Sequence, residues 1–221
     1  MEQIKINKQV DVTDLKSVEE NLLKLEKLFI REIKEISNIE KGQLSKLTDF
    51  VMSITDRAIS FNRAFITLTN HYNYQSAICL IRLQIDNSLR LFAYSIANNS
   101  FEFYDKILQG IHIGNLVDRE NNKMTDEHLT NQLDKLFPGI KLLYKNTSGY
   151  IHFSKNHLFL NKNIEQESEE KLKVRTKIGD IDRLEIYQQV DFAYNMFFAS
   201  KCLLTLITSY RIDLKENEKG H

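Results

Sequence analysis

LSKLTDFVMSITDRAISFNRAFITL, residues 44–68, decides the fold class. Leu44, Leu47, Val51, Ile54, Ala58, Phe61, Phe65 and Leu68 alternate spacings of three and four, which places them on one helical face. A seam of that length fits a long antiparallel helical pair packed at a shallow angle, or a dimer interface. Upstream, Leu15, Val18, Leu22, Leu25, Phe29, Ile33 and Ile36 repeat the period behind Thr13 or Asp14 as helix cap, and Gly42 separates the two runs.

The same reading extends downstream. Tyr74 to Ala97 reads as a third helix, closed by Asn98-Asn99-Ser100, and Phe101 to Leu108 as a short amphipathic one. Gly110 to Asn122 is irregular, Thr125 or Asp126 caps a further helix, and Pro138-Gly139 separates it from the next. Leu172, Val174, Thr176 and Ile178 alternate with polar residues after the acidic tract 165–170, the period of a half-exposed strand. Residues 157–179 are therefore expected to form a β-hairpin inserted before a last helix that runs to about Leu214. The expected fold is all-α: one domain over residues 1–221, an antiparallel bundle of five to seven helices with that small hairpin appended.

Composition narrows the function. Lys+Arg and Asp+Glu each total 30, so the chain lacks the basic excess on which broad duplex binding depends. It holds one proline and seven glycines, and Gly42 is the single glycine among its first hundred residues, which favours long helices. Cys79 and Cys202 sit in aliphatic surroundings and read as small core residues in a reducing compartment. No Cys/His spacing suits zinc, and no phosphate-binding loop motif occurs, so neither metal nor cofactor is expected. The most apolar run, Val190 to Thr208, is interrupted by Asp191, Asn195 and Lys201 and reads as a buried helix. The expectation is a cytoplasmic protein with no membrane contact.

Two polar stripes remain. Arg82, Asp86 and Arg90 stand four residues apart in a helix apolar on nearly every other face, where charges must be paired or used. Arg82 and Asp86 suit an intrahelical ion pair. Tyr144, Ser148 and His152 share the same spacing and are expected on one helical face. Histidine is the natural acid or base at neutral pH. Ser148 is not expected to act as a nucleophile, because no strand-to-helix elbow surrounds it and no triad acid can be assigned. Lys123, in a connecting loop, is expected in solvent. The two stripes are expected to meet. Such a ladder serves either a fixed helix register or a reactive site, and it could also hold a nucleotide or other small ligand.

Leu80-Ile81-Arg82 with its acid four residues on, the long helical pair, and Ser148-Gly149-Tyr150-Ile151-His152-Phe153-Ser154 together resemble the HEPN superfamily, over about residues 40–210. The resemblance implies an all-helical prokaryotic toxin or phage-defence effector. It further implies a metal-independent endoribonuclease acting on RNA, homodimeric, with an antitoxin or other defence protein as partner. The family signature is an arginine followed by a polar residue, with a histidine four to six residues beyond. Here six residues separate Lys145 from His152 and Asn146 follows the lysine, so spacing and polar neighbour agree, whereas lysine replaces the arginine. Carried over to this chain, His152 is the expected acid or base, with Arg82 and Lys145 on the phosphate and Asp86, Arg90, Tyr144 and Ser148 orienting them. The alternative is a non-enzymatic binding or dimerisation module with a structural ladder, the 44–68 seam holding the partner.

Overall fold

The computed structural model describes residues 14–152, 154, 162–168, 171–176 and 184–219, and the chain is all-α. Seven α-helices are present among the described residues: α1 (Leu15–Ile39), α2 (Lys46–Asn70), α3 (Tyr74–Ile96), α4 (Ser100–Leu108), α5 (Asp126–Leu136), α6 (Ile140–Ile151) and α7 (Ile186–Lys219).

Local chemistry sets the boundaries. The Asp14 carboxylate accepts the Lys16 N–H at the start of α1, and the Ser45 hydroxyl accepts the Thr48 N–H at the start of α2. Between them Lys41 and Gly42 both take positive φ, and the Gly42 N–H bonds back to the Ser37 carbonyl, which ends α1. The seam begins later than its periodicity implies. Leu44 lies ahead of α2 and is 62% exposed, because the chain is still turning there. Val51, Ile54, Ala58 and Phe65 are buried, and Leu47 and Phe61 partly so, within this one chain. That face is therefore filled by the protein's own helices and is not free to hold a partner.

Side-chain pairs fix the helix directions. Glu26 meets Arg63 and Glu19 meets Thr69, so α1 and α2 run antiparallel. Asn62 meets Gln84 and Arg57 meets Asn87, which makes α3 antiparallel to α2. Tyr74 meets Gln189 and Gln84 meets Ser200, so α7 runs parallel to α3. Helix α7 packs chiefly against α1 and α3, where Ala193, Met196, Ala199, Leu203 and Ile207 are fully buried. Among the described residues it alone is long and apolar enough to cross a membrane, with mean hydropathy 1.3 and 56% of its apolar window buried in the protein. The buried Glu32 on α1 accepts the Arg211 Nε of α7 at 2.6 Å, so that interface holds a paired charge rather than an orphaned one.

Helices α5 and α6 lie against α3, reached through α4 and a loop pinned by the bridges Ala97–Asp118 and Val117–Lys123. Gly139, at φ 100°, makes the turn between them, a left-handed conformation that other residues enter at a cost. Backbone strands Lys162–Ser168 and Lys171–Thr176 pair antiparallel, with Ile164 opposite Val174. The remainder of the expected 157–179 insertion lies outside the described residues.

Candidate functional site

Helix α3 presents Arg82, Asp86 and Arg90 one turn apart, and the other helices bring three polar groups to them. Asp126 opens α5, where the first turn favours a carboxylate. Tyr144 and Ser148 lie on α6, on the flank facing α3. The Tyr144 hydroxyl donates to Asp126 Oδ2 at 2.9 Å, and Arg90 Nη1 donates to Asp126 Oδ1 at 2.9 Å. Arg82 pairs with Asp86, reaches Asp126 at 3.7 Å, and donates through Nε to Ser148 Oγ at 3.4 Å. Its guanidinium carbon lies over the Tyr144 ring, 3.5 Å from the centroid. Arg90 also approaches Asp86, at 3.9 Å. The two stripes meet.

Two guanidinium groups thus face two carboxylates. The Arg82 side chain is 10% exposed and that of Asp126 33%, so the cluster grades from sealed to half-open. Burial alone would raise the Asp126 carboxyl, yet Arg90, the Tyr144 hydroxyl and Arg82 together hold it below the ordinary value. Tyr144 moves the other way: burial and its bond to Asp126 push the phenol up to about 12. Ser148 accepts from Arg82 and gives its own proton to the Tyr144 carbonyl at 2.7 Å, which suits positioning rather than attack.

His152 and Lys145 do not join this cluster. Helix α6 ends at Ile151, and His152 follows as an exposed cap residue with extended backbone, φ −107° and ψ 142°. The four-residue spacing therefore continues in number only, and the expected Tyr144–Ser148–His152 face stops at Ser148. Beyond the helix the Ser154 hydroxyl donates to the Gly149 carbonyl at 2.7 Å, one of the carbonyls of its last turn. Lys145, one residue past Tyr144, is turned by about 100° around the helix. It is exposed and, with Asn146, Asp191 and Asn195, lines a cleft of about 790 Å³ between α6 and α7. This cleft and the charge cluster thus occupy different flanks of α6, and the cluster joins charged side chains of α3 and α5 to the Tyr144 and Ser148 hydroxyls of α6.

Several participants are not evident from the sequence. Asp126 reads there as a mere capping residue. Arg57 of α2 approaches α3 from the opposite flank and donates to the buried Asn87 Oδ1 at 2.6 Å. Asn62, Gln84, Asn87 and Ser200 form a sealed network: Gln84 Nε2 donates to Ser200 at 3.0 Å, Asn87 Nδ2 to Gln84 at 3.0 Å, and Ser200 to Asn62 at 2.7 Å. His128 Nε2 meets Asp118 Oδ2 at 2.8 Å, and Asp118 also accepts the Glu120 and Asn122 N–H groups, which ties the loop to α5. Lys123 is exposed in that loop. Cys202 is buried, which pushes its thiol up to about 12, and Cys79 donates to the Tyr150 carbonyl, so both fit packing roles. Among the described residues no group of three or more His, Cys, Asp and Glu is placed to hold a metal ion.

Comparison with family models, curated proteins and solved structures gives no match. Chemistry within this chain must carry the functional reading.

Proposed function

We propose that the chain is a HEPN-like, non-enzymatic binding or dimerisation module, an antiparallel helical bundle with a β-hairpin inserted at 157–179, working in the cytoplasm. One observation carries this reading: Arg82 and Arg90 are both compensated by Asp86 and Asp126, while His152 stands outside the cluster. A charge balance of that kind favours a clamp that fixes α3, α5 and α6 in register.

The contact face in this reading is the α6–α7 cleft. Leu142 and Tyr187 are 63% and 68% exposed, and Tyr194 extends the same side of α7. Lys145 and Asp191 place opposite charges within one patch, so two copies can meet about a two-fold axis with each lysine facing the other's aspartate. Light scattering on the wild type and on Tyr187→Asp tests this. The expected result is a dimer that the substitution converts to monomer, and a monomeric wild type at micromolar concentration overturns it.

A second reading, a metal-independent endoribonuclease acting as toxin or phage-defence effector, is favoured by one observation. Lys145 and Asn146 line the cleft, and His152 follows the end of the same helix exposed to solvent, so a cation and an imidazole are both accessible on this element. RNA integrity in cells expressing wild type, Lys145→Ala and His152→Ala separates the readings. The module reading expects intact RNA and equal growth in all three. Cleavage by the wild type that both substitutions abolish would replace it with the nuclease.

A further inference from the structure

Helix α6 runs antiparallel to α3, since Tyr150 meets Cys79 and Ser148 meets Arg82, and α7 runs parallel to α3. The two walls of the α6–α7 cleft are therefore antiparallel. One contact fixes their register: the Tyr150 and Phe192 rings meet edge to face, with centroids 6.4 Å apart. Asn146 lies four residues before Tyr150, and Asn195 three residues after Phe192. Each is one helical turn from its aromatic neighbour, on the same face. In antiparallel helices both steps go the same way, so the two carboxamides stand at one level on facing walls. Both line the cavity, whose volume of about 790 Å³ falls within the roughly 300–1,000 Å³ range of ligand sites.

The lining suits an uncharged polar chain. Asn146 is exposed, and its carboxamide has no hydrogen-bond partner among the described residues. Asn195 gives one N–H to Asp191 Oδ2 at 3.2 Å, which leaves its carbonyl oxygen and second N–H. The base is apolar, with Leu143 buried and Phe192 half-buried beside it. Lys145 and Asp191 are the charged residues of the lining, one of each sign, so the cleft has no positive excess with which to hold a phosphodiester.

We infer that the cleft takes an extended peptide segment of a partner protein. In an extended chain the N–H and C=O of one residue point to one side and those of the next residue to the other. A carboxamide offers a donor and an acceptor together, so Asn146 takes both backbone groups of one residue and Asn195 both of its neighbour. Side chains then alternate between solvent and the base, where an apolar one meets Leu143 and Phe192. Lys145 and Asp191 favour a segment with one acidic and one basic residue facing outward. The inference rests on reading this cleft as the contact face of a binding module, and it names a partner for that face. A peptide in the cleft and a second copy across it exclude one another.

The probe is a library of fluorescein-labelled, amidated pentapeptides: serine at both ends, glutamate second, lysine fourth and the central residue varied. It is titrated by fluorescence anisotropy into the full chain carrying Tyr187→Asp, a change outside the cleft lining that removes the competing second copy. Micromolar binding is expected, tightest with leucine or phenylalanine at the centre. N-methylation of the central peptide N–H groups should weaken it by about tenfold or more. Asn146→Leu, at an exposed position, should do the same with little change in melting temperature, and the N-methylated peptides need no variant that must fold. Absence of binding at millimolar peptide across the library, or equal affinity for the N-methylated peptides, would overturn the inference. Light scattering on the wild type keeps the two readings apart. A monomeric wild type overturns the dimer and leaves peptide binding to be read as before, whereas a dimer together with no peptide bound by Tyr187→Asp overturns this inference alone. A wild-type dimer whose mass stays unchanged while peptide binds would place the peptide outside the cleft and overturn it as well.

Discussion

Helix α3 carries two polar regions built on different principles. On its α5–α6 flank, Arg82, Asp86, Arg90, Asp126 and Tyr144 form a charged cluster that remains partly wet. Toward α2 and α7, Asn62, Gln84, Asn87 and Ser200 form a neutral network, each residue no more than 1% exposed. Charges can be brought inside only with their partners and some access to water, since desolvation otherwise exceeds their attraction. Amides carry no net charge, so they can be sealed completely at modest cost, even though Asn62 Nδ2 finds no partner among the described residues. The charged flank therefore responds to pH and to loss of a partner, and the amide flank responds to geometry alone.

The largest expected effect comes from breaking the charged flank. Arg82→Ala leaves Asp86 with only the longer contact to Arg90 in a nearly closed site, removes one of the two cations on Asp126 and uncovers the Tyr144 ring. A loss of about 3 kcal/mol in urea unfolding is expected. A loss below about 1 kcal/mol would mean that the cluster is a solvated ion pair and no clamp.

The amide flank should yield next. Gln84→Leu keeps similar volume but leaves Asn87 Nδ2 and Ser200 Oγ each short of a partner, at an expected cost of about 1–2 kcal/mol. That cost should not vary between pH 5 and 8, because no ionisable group is touched. A pH-dependent penalty in urea titrations would show that the two regions are coupled through Arg57 and Asn87.

These regions were not equally legible in the sequence. The α2 seam was, because Val51, Ile54, Ala58 and Phe65 keep helical spacing and the core simply absorbs them. Arg82, Asp86 and Arg90 stood out as charges on an apolar helix, and such charges need company. Asp126 was hidden because an aspartate in a first helical turn looks the same whether it serves the dipole or a distant arginine. The amides were hidden more deeply. They come from two helices and meet Ser200 of a third, with no shared period, and an amide inside a helix gives no sign of facing inward. His152 misled for the opposite reason: numerical spacing persists past the end of a helix, whereas a shared face does not. The Gly149 and Ser154 pair marks that ending, a weak helix former followed by a hydroxyl that can cap its carbonyl.

Acid should expose the difference between the flanks in a single titration. The folded Asp126 carboxyl sits below its ordinary value, so its contribution is present above the unfolded value near ~3.9 and fades as pH falls through the folded one. Stability of the wild type should exceed that of Asp126→Asn at neutral pH, and the gap should narrow as the solution is acidified below about pH 4. Gln84→Leu should keep a constant gap over the same range. A parallel fall in all three proteins would place the acid-sensitive group elsewhere, with Asp118 the next carboxylate held low by its partners.

The smallest expected effect belongs to His152. It is exposed, lies past the last turn of α6 and belongs to neither flank, so His152→Ala should shift unfolding by no more than about 0.5 kcal/mol. The measurement is informative because it is small. A histidine tied into the cluster would leave a buried partner unsatisfied when removed, at about 1–3 kcal/mol. A loss of that size would place the imidazole against the Ser148 end of the ladder and restore the three-residue face that the spacing implied. A null effect on stability combined with a loss of RNA cleavage would instead separate chemistry from clamp, with the catalytic group in solvent beside Lys145 and the charges of α3 holding its helix in place.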